Sequence, residues 1–234
     1  MKNQYFGDVN DYRKYGLLRT LANNGQHKIG MCWMLTADDG RNDGNSTGYL
    51  KKPQCWCQYD PSLFDLLNKS VIADGSRKIA SAENEKVLPG AKFHSELLTD
   101  SLSQRTAYFK EMREKLATCE LIFFDPDNGI ETKSTMKGRR NSAKYVYWDE
   151  IGETFQAGHS ILLYQHFRRE ERTAFIQRAV AEFQARLSPS KIYWFRTPQV
   201  VYFLSVQEKH AEYLASRVKL ISEQWENQIQ VGLR

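Results

Sequence analysis

Residues Leu121 to Glu131 read Leu-Ile-Phe-Phe-Asp-Pro-Asp-Asn-Gly-Ile-Glu, four apolar residues that run straight into a carboxylate, a proline and a turn. Such a run reads as a buried strand that ends in a site. Open α/β sheets hold their ligands outside the carboxyl ends of the strands, so Asp125 and Asp127 stand where chemistry is usually done. Pro126 has no backbone N–H and forces the chain out of the ladder, and Asn128-Gly129 then turns it. The bland alternative is a capped loop.

Helix, strand and breaker signals alternate along the rest of the chain, which favours an α/β layer architecture. Asp11 to Ala22 reads as a helix with Tyr15, Leu18 and Leu21 on one side and Asn24-Gly25 as its stop. Ile29 to Leu35 reads as a buried strand running into Thr36-Ala-Asp-Asp-Gly, so a second strand ends in carboxylates. Arg41 to Cys57 is a long loop, and Asp60-Pro61 can cap a short helix through Leu67. Ser70 to Ser95 is the least legible stretch, with short strands or turns expected around Val71 and Phe93. Ser101 to Ala117 and Glu170 to Leu187 are amphipathic helices, Trp148 to Ala157 is a shorter one, and Ser160 to His166 is another buried strand. Lys191 to Thr197 and Val200 to Gln207 form an antiparallel pair around Pro198-Gln199, and Glu208 to about Gln228 is a last helix. The expected fold is α/β, a Rossmann-like three-layer sandwich whose mostly parallel sheet carries a C-terminal antiparallel hairpin.

A chain of 234 residues, 41% of them hydrophobic, can bury one large core, and no composition shift divides it. Residues 1–234 are therefore read as a single domain. There is no apolar run of about 18 residues, and the first residues are too polar for a signal peptide, so the expectation is a cytoplasmic protein with no membrane partner. The cysteines, Cys32, Cys55, Cys57 and Cys119, read as free thiols. Cys55-Trp56-Cys57 lacks the spacing of a zinc knuckle.

The net charge of +5 says less than its distribution. Lys133, Lys137, Arg139, Arg140 and Lys144 follow the Asp125 turn with no acidic residue among them between 132 and 144. Arg168, Arg169 and Arg172 follow the Ser160 strand and would emerge at the same sheet edge. Basic clusters beside a strand-end site suit a phosphate backbone and suggest a nucleic-acid partner. The alternative is a mobile, solvated basic loop. His166, at the end of its strand, is a candidate general base or phosphate contact, or else a satisfied core histidine. Trp56, in the long loop, is the tryptophan available to stack on a base.

The Asp125-Pro126-Asp127-Asn128 turn resembles the Asp/Asn-Pro-Pro-aromatic motif of amino-directed nucleic-acid methyltransferases. Gly7-Asp-Val-Asn-Asp11-Tyr-Arg-Lys14-Tyr15 resembles the Gly-Asn-x-x-Asp-x-x-Lys-His opening of the bacterial 23S ribosomal RNA adenine-N6 methyltransferases, and Pro89-Gly90 sits where that family has a Tyr-Pro-Gly-Ser turn. The resemblance covers about a third of the chain. It implies a class I methyltransferase fold and S-adenosylmethionine as cofactor. Asp125 would then orient an exocyclic amine, with Asp127, Asn128 and His166 beside it. The implied cofactor contacts are Lys14, Asp11, Thr36, Asp38, Asp39 and Gly40. The implied nucleic-acid contacts are Lys133, Lys137, Arg139, Arg140, Lys144, Arg168 and Arg169.

The chain departs from that pattern at three places. One glycine, Gly40, stands where the family uses two or three; Asp127 replaces the second proline; Asn128 replaces the aromatic. These departures feed a rival reading. Asp38, Asp125, Asp127 and Glu131, with Asp39, form an all-oxygen set suited to Mg²⁺ or Mn²⁺ and hence to a metal-dependent nuclease or phosphohydrolase. Clustered carboxylates repel one another, and a cation relieves them. A third reading is a non-catalytic nucleic-acid binding module. The sequence leaves the oligomeric state open.

Overall fold

A computed structural model describes residues 1–37, 44–84 and 87–233. Helix α1 (Val9–Ala22) starts where the Asp8 carboxylate accepts the Asn10 N–H, and it stops at Asn23, which adopts the left-handed conformation (φ 46°). It precedes β1 (Ile29–Cys32). The connection that follows is less irregular than its composition suggests: it holds a 3₁₀ turn over Gly48–Lys51 and the short helix α2 (Pro53–Trp56). Asp60 caps α3 (Pro61–Asn68), with Pro61 in the first turn as expected. Val71 lies in a wide helical turn, not a strand, whereas Phe93 lies in β2 (Lys92–His94) after α4 (Ile79–Asn84).

Helix α5 (Leu102–Leu116) delivers the chain to β3 (Leu121–Phe124). Two short segments, β4 (Gly129–Ile130) and β5 (Tyr145–Val146), pair in parallel outside the main sheet. Then come α6 (Trp148–Gln156), β6 (Ser160–His166), α7 (Arg172–Leu187), β7 (Lys191–Arg196), β8 (Val200–Val206), α8 (Ala211–Gln224) and β9 (Gln230–Leu233). The last helix ends earlier than its periodicity predicts, and the residues after it add an edge strand.

The seven-stranded sheet runs β2-β1-β3-β6-β8-β7-β9. Strands β2, β1, β3 and β6 are parallel, and β8 runs against both β6 and β7 as the expected hairpin. From β1 the chain crosses to β2 on one side and returns to β3 on the other. The strand order therefore reverses between β1 and β3, the point at which open sheets form their ligand crevice.

Alternation along the strands fills two cores. Leu121 and Phe123 pack with Tyr12, Leu18, Phe64 and Leu214 beneath α1, α3 and α8. Ile122 and Phe124 face Phe109, Met112, Phe155 and Phe183 beneath α5, α6 and α7. The result is a Rossmann-like three-layer α/β sandwich. No helix among the described residues is long and apolar enough to cross a membrane.

Buried histidines fall within these layers. His94, at the end of β2, has no hydrogen-bond partner on either ring nitrogen among the described residues, and its ring meets Tyr108 edge-on at 4.3 Å. Burial, helped by Lys115, pushes its pKa down to about 4, and burial with His27 and Lys209 does the same to His210. In the unfolded chain both titrate near 6.5. The unfolded state thus binds more protons, so stability is fully present above about pH 6.5 and falls as pH drops toward 4. Replacing His94 by Phe, which keeps the edge contact, should flatten the loss of Tm between pH 7.5 and 4.5. An unaltered slope would show that His94 does not carry it.

Candidate active site at the carboxyl edge

β3 ends at Phe124, and the next residue, Asp125, is only 3% exposed. Its backbone N–H donates to the Cys32 carbonyl at 3.1 Å, which locks the two strand ends together. Lys14 reaches the same point from α1. Its Nζ lies 2.7 Å from Asp125 Oδ2 and 2.7 Å from Asp11 Oδ1, and the ammonium stands over the rings of Tyr15 and Trp33 at 5.1 and 5.5 Å. Asp11 and Lys14, three residues apart, share one helix face. The second oxygen of Asp11 accepts the Gly7 N–H and the Tyr15 hydroxyl, both at 3.2 Å. Burial raises the Asp11 pKa to about 6 against the pull of Lys14. Burial also opposes the charge on Lys14, but Asp11 and Asp125 outweigh it and hold its pKa above the ordinary lysine value.

The chain leaves β1 through Met34, a buried residue in the left-handed region (φ 47°). For a residue with a β-carbon this costs about 1–3 kcal/mol, and such strain gathers at functional sites. The Met34 carbonyl turns toward Met1, which itself lines the cleft. That carbonyl, the Asp125 carbonyl and Asp127 Oδ1 converge on one primary ammonium, the amino group of Met1, at 3.1, 3.0 and 2.7 Å. The other Asp127 oxygen accepts from Thr36 Oγ1 at 2.8 Å. Burial works against the charge of Asp127, yet this ammonium and Thr36 hold its pKa below the usual carboxylate value.

Around these groups lies a cleft of about 380 Å³. It brings together the predicted Asp11, Lys14, Asp125, Asp127, Asn128, Lys144 and His166, and adds Asp8 and Tyr164. The Tyr164 hydroxyl and His166 Nε2 are 3.0 Å apart. Crowding around the imidazole lowers the His166 pKa despite Asp125 and Asp127. Asp38, Asp39 and Gly40 lie outside the described residues.

Several expected contacts are engaged elsewhere. Glu131 takes the Trp148 N–H at the start of α6 (2.9 Å) and is not part of the cleft lining. Among the described residues no three of His, Cys, Asp and Glu could share a metal ion. Lys137 Nζ pairs with Asp149 (2.6 Å) and Glu150 (3.1 Å), and Arg168 donates to the Glu131 carbonyl (3.1 Å). Both cations fasten their own loop. Trp56 packs against Tyr12, Tyr49 and Tyr59 with Arg13 over its ring, so it belongs to an aromatic cluster and not to an exposed stacking surface. Lys133, Arg139, Arg140 and Arg169 are exposed and have no carboxylate partner among the described residues.

Two residues that hold the site in place were not legible beforehand. Gln165, buried at the end of β6, accepts the Ile130 N–H (2.8 Å) and donates to the Asn128 carbonyl (3.2 Å), thereby fixing the turn after Asp127. Gly129 (φ +108°) makes room for it: a β-carbon there would sit 2.2 Å from the Gln165 amide. Arg105, from α5, donates to both oxygens of Glu150 (2.6 and 2.8 Å) and to the carbonyls of Ser142 and Tyr145, which staples the basic segment to the core. An amide in an otherwise apolar strand was the available signal for Gln165. Arg105 gave none.

A scan against models of known families finds no match, and no curated protein matches the sequence. Among solved structures, the chain is similar to the crystal structure of protein LPL1258 from Legionella pneumophila strain Philadelphia 1, assigned to the family model DUF519, at 11% identity. The match covers 98% of this chain and 96% of that one with a TM-score of 0.43, a likeness that bears on neither site nor activity.

Lys14→Met should cost about 3–5 kcal/mol in urea unfolding, because it leaves Asp11 and Asp125 buried without their counter-charge. Adding Asp11→Asn and Asp125→Asn to it should restore most of that loss; no recovery would show that packing, not charge, holds α1 against β3. Gln165→Leu should cost about 1–3 kcal/mol and speed hydrogen exchange at the Ile130 amide, which loses its acceptor. Exchange at the wild-type rate would remove Gln165 from the turn.

Proposed function

We propose that this chain is an S-adenosylmethionine-dependent methyltransferase that acts on an amino group of a base in nucleic acid. The observation that carries the reading is the set of acceptors converging on one ammonium at the switch point, beside a carboxylate held by Lys14. An acceptor-rich cleft with buried carboxylates suits ligands that bring amines. Adenosylmethionine supplies an electrophilic methyl group and carries a primary amine in its methionyl part. The Met34 carbonyl and the Asp127 carboxylate have the chemistry to hold that amine once it takes the place of the Met1 amino group now bound there. Lys14 has one N–H beyond its two carboxylate contacts; among the described residues its hydrogen-bond partner is the Met1 sulfur at 3.8 Å, so it can serve a carboxylate ligand.

Asp125 supplies the orienting acceptor for the base. One of its oxygens is held by Lys14, which fixes the carboxylate plane and leaves the other oxygen for a substrate N–H. A neutral aromatic amine with its N–H groups so directed presents its lone pair for methyl transfer. His166, with Tyr164, stands in the same cleft to accept the proton released afterwards. The exposed, unpaired cations on the same edge supply phosphate contacts.

Calorimetric titration with S-adenosylmethionine tests the first half of this reading. Asp127→Asn should weaken binding roughly ten- to hundredfold, the size of one charge-assisted hydrogen bond. Asp125→Ala, which leaves Lys14 paired with Asp11, should keep cofactor binding and fold while abolishing transfer of labelled methyl to nucleic acid. A wild-type protein that takes up no cofactor at millimolar concentration would overturn the reading.

A further inference from the structure

Leu102 and Met136 are large apolar side chains left 56% and 68% exposed. They belong to one junction. Gly138 (φ +80°), in the turn closed by the Arg139 N–H on the Met136 carbonyl (3.1 Å), lies so close to α5 that a β-carbon there would sit 3.3 Å from Leu102. The junction is also fastened. Asp100, just before α5, accepts the N–H groups of Asn141 and Ala143, both at 2.8 Å. Arg105, one turn into α5, holds the carbonyls of Ser142 and Tyr145. The two apolar side chains are therefore presented to water by an anchored segment.

Three cations lie within four residues of Met136 along the chain: Lys133, Arg139 and Arg140, all exposed and without a carboxylate partner among the described residues. Lys137, in the same segment, is fully paired, so the charge available to a partner is confined to those three and Lys144. The segment then runs into the cleft wall. Lys144 lines the cleft, and its carbonyl accepts the Asn128 N–H at 2.9 Å.

We infer that this ledge, Leu102 and Met136 with Lys133, Arg139 and Arg140, receives an unpaired stretch of nucleic acid on its way to the cleft. The inference rests on the nucleic-acid reading above and narrows it to single-stranded substrate. A duplex offers phosphates to cations but keeps its base faces stacked inside, so it would leave the apolar side chains wet. A single strand offers both, with base faces on the apolar side chains and phosphates on the cations.

The test is fluorescence anisotropy with a labelled 12-nucleotide oligouridine and a 12-base-pair RNA duplex. Leu102→Ser with Met136→Ser, both at exposed positions, should weaken single-strand binding about tenfold and leave duplex binding unchanged. Arg139→Gln with Arg140→Gln should weaken both and lower the salt dependence of binding by about two released counterions. Unchanged single-strand affinity in the serine variant, or tighter binding of duplex than of single strand, would overturn the inference. So would displacement of the strand by polyglutamate as readily as by unlabelled strand, which would point to an acidic protein partner. A parallel cofactor titration separates the two readings. Strand binding without cofactor binding removes the methyltransferase and leaves the ledge; cofactor binding without strand binding does the reverse.

Discussion

The ammonium of Lys14 between Asp11 and Asp125 is the interaction on which the carboxyl edge depends. It joins a helix that precedes the first strand to the end of a strand more than a hundred residues later, and all three groups are almost wholly buried. Removing one charge from water costs several kcal/mol, and only an opposite charge at close range with further hydrogen bonds offsets it. Here the offset is complete on the Asp11 side, where Gly7 and Tyr15 occupy the second oxygen. On the Asp125 side Lys14 holds one oxygen of a residue that lines the cleft. The difference makes Asp11 the more fully satisfied of the two carboxylates and fits the role proposed for Asp125.

Much of the fold was legible because the signals were local and strong. Leu121–Phe124 alternates between two cores as a doubly buried strand must, and the β7–β8 pair follows from β-branched and aromatic residues around a Pro-Gln turn. What escaped was set by tertiary contact. The first strand stops at Cys32 because Met34 turns left-handed, its N–H held by the Tyr108 hydroxyl, and no propensity anticipates that in a methionine. β9 has four residues and exists by pairing with β7. The β4–β5 pair has two residues per strand and depends on Gln165 and Asn128 for its geometry.

The site divides in the same way. Strand-end logic pointed to Asp125, Asp127 and His166, and the resemblance of the Gly7 to Tyr15 segment to a known opening motif pointed to Asp11 and Lys14; all five line one cleft. Charge counting could not separate cations that hold a loop from cations that face water. Lys137 and Arg168 look like Lys133 and Arg140 in sequence, but Asp149, Glu150 and the Glu131 carbonyl claim the first two. Trp56 likewise carries no mark in sequence of the tyrosines that enclose it.

The crowding of carboxylates at one edge was the argument for a divalent ion, and the repulsion behind that argument is real. Among the described residues, Lys14 pairs with Asp11 and Asp125, and the Met1 amino group pairs with Asp127. The two solutions have different chemical consequences. A divalent ion gathers oxygens around itself and polarises a bound phosphate or water. Here one ammonium bridges two carboxylates and another meets the third, and neither gathers oxygens into a metal-like shell. Carboxylate and carbonyl lone pairs at the cleft accept donors, and amines, ring N–H groups and ribose hydroxyls all qualify. The pairing of charges beneath the cleft thus supports the donor-bearing ligand that we propose for it.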